Sequence, residues 1–226
     1  MAIVRTGTAV TINTATVNGS QSITVPSDAE IAVAFLGAYS DSPTIPNPTL
    51  TLAGSGFTRQ ITSGVSNQYN QVSVETYLTP PTGSQTLAWN FTTWLAGSYD
   101  GGCHIIIAFY KGINTTTPIK SSAGQQNTGS LTGLAYAAGD MMVGGVGSDG
   151  TGIDVTASSQ TQIHESAVDA LSSIFVLAVA EKLSTDTFDY TGEAYPGAVA
   201  IVLAQSAAGG ASIVPLIMNQ YRRRRQ

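Results

Sequence analysis

Gln71-Val-Ser-Val-Glu-Thr-Tyr-Leu78 decides the fold class. Val72, Val74, Thr76 and Leu78 alternate with Ser73, Glu75 and Tyr77, and a period of two puts the two sets on opposite faces of a pleated strand. The segment is therefore expected to be a half-buried β-strand. On either side lie three runs that are apolar at consecutive positions, Ile31–Leu36, Ile105–Phe109 and Ile174–Ala180. Such runs fit central strands covered on both faces. Shorter β-branched or aromatic segments predict further strands near Ala9–Thr16, Ser22–Val25, Thr49–Leu52, Phe57–Thr62, Gln85–Phe91, Met141–Val146, Thr161–Glu165 and Val199–Gln205. Ser40–Pro48 is read as a loop, because its prolines cannot donate to a ladder. Pro80–Ser84 and Tyr195–Gly197 are read as turns, Thr115–Gly133 as a long exposed polar connection, and Ser166–Leu171 as a helical turn or two at most.

The spacing of these segments fits one all-β sandwich or barrel, and 226 residues can bury an ample core. Charged residues make up only 10% of the chain, against roughly 25% in a typical soluble domain. Gly, Ser, Thr, Ala and Asn stand in their place. The single Cys103 excludes an internal disulfide framework and any multi-cysteine metal site, and its apolar surroundings predict a buried thiol. Met-Ala-Ile-Val-Arg-Thr at the start lacks the basic and apolar regions of a signal peptide, and no apolar run is long enough to span a bilayer. A protein made in the cytoplasm, with no membrane segment, is the expectation.

Charge is distributed unevenly. Four of the nine basic residues are Arg222, Arg223, Arg224 and Arg225, and all 14 acidic residues lie between Asp28 and Glu193. The body thus carries 5 − 14 = −9 and the tail +4. The composition changes at Ser206-Ala-Ala-Gly-Gly-Ala-Ser212, a flexible lead of small residues, which places a folded domain at 1–205 and a linker with an arm at 206–226. The arm combines Ile213, Val214, Leu216, Ile217 and Met218 with Tyr221 and the arginines, and Pro215 favours an extended form over a helix. Its apolar residues gain from a hydrophobic pocket, and its guanidinium groups form bidentate pairs with carboxylates. Three readings follow: a peptide that binds an acidic or mixed surface on a neighbouring subunit, a contact to packaged nucleic acid, or a solvated tail. The negative body opposes nucleic acid.

Few residues suggest chemistry. His104 and His164 lack metal-ligand spacing, no Gly-x-Ser-x-Gly elbow occurs, and Asp149–Asp154 lacks the spacing and terminal Glu of a calcium loop. Gly144-Gly-Val-Gly147 lies within a strand pattern, which is the wrong context for a phosphate loop. No enzyme activity, cofactor or metal is expected. Trp89 is expected in the core, whereas Trp94 and Tyr99, in the loop 92–101, either close the open end of the sandwich or stack on sugar rings.

The order of motifs resembles a known module. Gln21-Ser-Ile-Thr-Val-Pro26 is followed by Thr49–Thr58, then Gln71–Pro81, then Ser84–Phe91, Ile107–Ile119 and Ala137-Ala-Gly-Asp-Met-Met-Val143, and the series closes with Gly197–Leu203. Together they resemble a jelly-roll-like antiparallel β-sandwich that recurs in bacteriophage virion proteins and in bacterial surface proteins. The resemblance covers about residues 15–205. It implies a binding or structural module without a catalytic signature. The expectation is a structural subunit of a phage particle, either a head decoration protein or a tail or collar fibre component. It would be a homo-oligomer, with a trimer favoured, and its arm would lock into other virion proteins. The alternative is a carbohydrate-binding adhesion module that uses Trp94 and Tyr99.

Overall fold

The computed structural model describes residues 1–14, 16–39, 48–63, 70–91, 103–126, 129–149, 153–156, 159–165, 175–191 and 194–207. The chain is an all-β sandwich built from antiparallel sheets, and it has three principal layers.

The central sheet has the order β1-β9-β3-β7-β6. Its strands are β1 (Val4–Thr14), β9 (Cys103–Lys111), β3 (Ile31–Tyr39), β7 (Asn70–Leu78) and β6 (Thr58–Thr62). One flank is covered by the outer sheet, β2-β8-β4-β5, made of β2 (Asn18–Val25), β8 (Gly83–Asn90), β4 (Thr49–Leu52) and β5 (Ser55–Gly56). The other flank is covered by the third sheet, β10-β16-β12-β14-β13. Its strands are β10 (Ile119–Gln126), β16 (Ala194–Leu203), β12 (Met141–Asp149), β14 (Phe175–Leu183) and β13 (Thr161–Glu165). A short pair, β11 (Ser130–Leu131) with β15 (Phe188–Asp189), lies over the far side of the third sheet.

Three apolar layers follow from strand alternation. On β3, Ala32, Ala34 and Leu36 pack with Leu50, Leu87 and Trp89 of the outer sheet, while Ile31, Val33 and Phe35 pack with Val143, Leu177 and Val199 of the third. The opposite face of the third sheet, with Met142, Val146, Val176 and Ala200, is closed by Leu131, Leu134, Phe188 and Tyr190. The double-sided apolar runs are thus central strands: β3 from Ile31 to Leu36, β9 from Ile105 to Phe109 and β14 from Phe175 to Ala180 are all buried. A fully buried Val, Leu or Ile side chain contributes roughly 1.5–3 kcal/mol.

The glycines of β12 have a packing role. A Cβ on Gly144 would come within 2.6 Å of the Phe188 ring, and one on Gly145 or Gly147 would overlap Phe35 or Phe175. Bare backbone at these positions lets three rings lie against the strand.

The structure corrects four expectations. First, β7 is buried on both faces from Asn70 to Thr76, because the central sheet has a neighbour on each side. Its polar residues Ser73 and Glu75 lie inside, and Leu78 is exposed instead. Second, the supposed connection Thr115–Gly133 contains β10, an edge strand laddered to β16 from Ile119↔Leu203 to Gln126↔Gly197. Its sequence, Ile-Lys-Ser-Ser-Ala-Gly-Gln-Gln, lacks β-branched alternation because main-chain pairing holds the strand, with Gly124 seated against the Thr62 carbonyl of β6. Third, Tyr195–Gly197 lies inside β16. Pro196 is tolerated there because it sits near the strand start, at a register shift against β12 and beyond the last β10 pair. Fourth, β1 begins at Val4, ahead of the expected Ala9. A register shift between Thr6 and Val10, around Gly7 at φ +67°, hides the strand in the sequence. The helical turn expected at Ser166–Leu171 lies outside the described residues.

Candidate functional site

The described residues end at Ala207, within the lead to the arm, and they show how the root of that lead is held. The main-chain N–H of Gln205 donates to Asp140 Oδ1 at 2.8 Å. Asp140 Oδ2 accepts from the Ala137 N–H at 2.6 Å and from Lys120 Nζ at 2.8 Å. One carboxylate, 4% exposed, therefore ties together the 137–140 turn, the edge strand β10 and the end of β16. Burial alone would raise its pKa. The bonds from Lys120, Gln205 and Ala137 outweigh that and hold it below the ordinary 3.8. Gly139, at φ +90°, makes the tight turn, and its N–H donates to Ser184 Oγ at 3.0 Å.

The chain's first residues meet the same place. Met1 donates its terminal ammonium to Ser206 Oγ at 3.5 Å, and its carbonyl accepts from Gln205 Nε2 at 2.9 Å. Ile3 is buried beneath, and Glu30 accepts from the Gly112 and Ile113 N–H groups at 2.7 and 3.0 Å. An open cleft of about 540 Å³ lies beside the root, with Asn114, Ile119, Lys120, Asp140 and Ala207 in its walls.

Strand registers place this root at one end of the body. Val4, Ile31, Leu78, Lys111, Leu183 and Leu203 are the strand termini there, and the opposite end holds Thr14, Cys103, Asn70, Phe175 and the close of β12 at Asp149. Among the described residues the large exposed apolar side chains are Met1, Val4, Leu78, Tyr136 and Leu183. Four of these belong to the root end by register or by contact with Gln205. The cations follow the same division. Arg5, Lys111, Lys120 and Lys182 stand at the root end and pair locally with Glu181 at 3.7 Å (Arg5), Asp28 at 2.5 Å (Lys111) and Asp140 at 2.8 Å (Lys120). Arg59 is in the nearer half, opposite Glu75. No Lys or Arg of the body occupies the far end, where Asp149 closes β12.

The residues singled out in the sequence divide clearly. Ile213, Val214, Leu216, Ile217, Met218, Tyr221 and Arg222–Arg225 lie outside the described residues, as do Trp94 and Tyr99. Trp89 is a core residue, packed on Gly19, with its indole N–H donating to the Thr16 carbonyl at 3.3 Å. Cys103 is buried. His104 is buried on β9 with its ring edge-on to Phe175, centroids 5.1 Å apart. Asp154 accepts from the N–H and hydroxyl of Thr156, both at 2.7 Å. Among the described residues no three His, Cys, Asp or Glu side chains form a metal-ligand group. Among the described residues no helix is long and apolar enough to cross a membrane.

Asp140, Lys120 and the N-terminal residues were not singled out from the sequence as arm contacts. The signal was present in Ala137-Ala-Gly-Asp140, a small-residue turn ending in a carboxylate, whose partners are 20 and 65 residues away. No family model matches this chain. Neither the curated proteins nor the solved structures contain a match.

Proposed function

We propose that this chain is a non-enzymatic structural subunit of a phage particle, a head decoration protein or a tail or collar fibre component, and that the arm 213–226 joins it to its neighbours. The observation that carries the reading is the root of the arm. The chain is clamped up to Ser206 by Asp140 and Met1, beside exposed apolar residues. It then continues into an apolar and tetra-arginine peptide on a glycine-alanine lead. A fixed root with a long lead suits a peptide that reaches an adjacent subunit. The local charge also supports it: at the end where the +4 arm starts, the carboxylates of Glu181, Asp28 and Asp140 are already paired with Arg5, Lys111 and Lys120, so free carboxylates for the arm are sought on a neighbour. A partner that is a second copy makes a head-to-tail contact, which closes into a ring such as the favoured trimer or propagates along a fibre.

The test is truncation after Ala207. The shortened protein should keep its unfolding midpoint and lose incorporation into particles and self-association in sedimentation. Normal occupancy of particles by the truncated protein would sink the proposal.

A further inference from the structure

We propose a second binding site, for a neutral sugar ring, in the cleft between the β4–β5 hairpin and β6. It goes beyond the reading of the arm and does not depend on it. The cleft has a volume of about 290 Å³, and its walls include Thr49, Leu50, Thr51, Phe57, Arg59 and Glu75.

At its base is an ion pair that the stability of the fold does not explain. Glu75 is 3% exposed, on the face of β7 turned toward the outer sheet. Both bonds it receives from Arg59 fall on one oxygen: Nη2 donates to Oε1 at 2.7 Å and Nε donates to the same atom at 3.2 Å. The guanidinium is held in turn by the Pro48 carbonyl, 3.1 Å from Nη2. Oε2 of Glu75 takes no hydrogen bond from the described residues. A buried ion pair is seldom more stabilising than apolar residues of the same volume, and a carboxylate that leaves one oxygen unused is less so. Burial also pushes the Glu75 pKa up, against the pull of Arg59.

The chemistry of the walls selects the ligand. Arg59 and Glu75 already pair with one another, so the walls offer a charged ligand no unpaired counter-charge from the residues that line them. The remaining function at the base is an acceptor, Oε2, which calls for a hydroxyl or amide donor. Around it are the hydroxyl-bearing Thr49 and Thr51 and the apolar Leu50 and Phe57. Phe57 is held edge-on by Tyr77, centroids 5.4 Å apart, which fixes its orientation. A pyranose presents hydroxyl donors at its rim and C–H groups on its faces, and meets both demands. At about 30 Å³ per water the cleft takes close to ten waters, room for one sugar ring rather than a single bridging water.

The experiment uses the full chain, labelled for ¹H–¹⁵N correlation spectra, titrated separately with free glucose, galactose, mannose and N-acetylglucosamine to tens of millimolar. At least one probe should shift the amides of Thr49–Thr51 and Phe57–Arg59 saturably. Glu75→Gln, which replaces the acceptor by an amide that can turn a donor into the cleft, should weaken that binding about tenfold or more. Phe57→Leu, which keeps an apolar side chain and removes the aromatic face, should weaken it several-fold, and it serves as the test if the Glu75 variant does not fold. The proposal is overturned if none of the four sugars shifts these amides, or if the folded variants bind as the native chain does. Truncation after Ala207 should leave the shifts unchanged, which separates this site from the arm.

Discussion

A single carboxylate at the arm's root illustrates how a residue-scale feature reaches the edge of the fold. Asp140 accepts three bonds from groups far apart in sequence. Replacing it by alanine leaves two main-chain N–H groups and a lysine without their acceptor, so Asp140→Ala should cost about 2 kcal/mol in urea unfolding. The pH dependence has a definite sign. The folded pKa is lowered, so the stabilisation is present in full above the unfolded value of 3.8 and is lost as pH falls through the lower folded value. Asp140→Asn should therefore lose less stability between neutral and strongly acid pH than the native chain loses. Acid-unfolding curves of equal steepness for the two proteins would argue against it. Glu75 has the opposite sign. Desolvation raises its pKa despite Arg59, so its contribution is favourable below the unfolded value of 4.5 and fades as pH rises through the folded one.

At the scale of elements, legibility in the sequence followed side-chain signal. β3, β9 and β14 contain the runs Ile31–Leu36, Ile105–Phe109 and Phe175–Ala180, which apolar side chains on both faces mark, and β4 begins and ends where its Thr–Leu alternation indicates. β10 was missed because main-chain pairing and one close approach hold it, neither of which leaves a hydrophobic pattern. Gly124→Ala tests that account. Its Cβ would overlap the Thr62 carbonyl, a backbone atom that cannot turn away, so the substitution should destabilise by roughly 1–3 kcal/mol in chemical denaturation. An unchanged midpoint would mean that β10 and β6 can separate freely. The double burial of β7 was hidden for another reason. Ser73 and Glu75 read as solvent-facing, and only the presence of a third sheet shows that both faces are inside. The candidate sites were less legible still, since Asp140 and Glu75 take their roles from partners on other strands.

For the whole molecule the governing fact is the contrast between a body of net charge −9, whose root-end cations Arg5, Lys111 and Lys120 are paired with carboxylates, and an arm of +4. Association through the arm should therefore weaken as salt rises over the range in which the Debye length falls from about 10 Å to about 3 Å. Replacing Arg222–Arg225 by glutamine should remove most of that salt dependence while leaving the fold intact. Sedimentation at low and high ionic strength is the measurement, and salt-independent association of the native chain would contradict the role given to the arginines.

The bonds between Met1 and the pair Gln205–Ser206 make the body almost a closed ring of backbone, interrupted at one place. That place is also where the arm is attached. A circular permutant that joins residue 206 to Met1 and opens the chain at the exposed Thr82 would complete the ring and relocate both ends to a turn between sheets. The order of synthesis can thus be rearranged without breaking a strand. The arm can be moved from one corner of the body to another while the body itself stays the same.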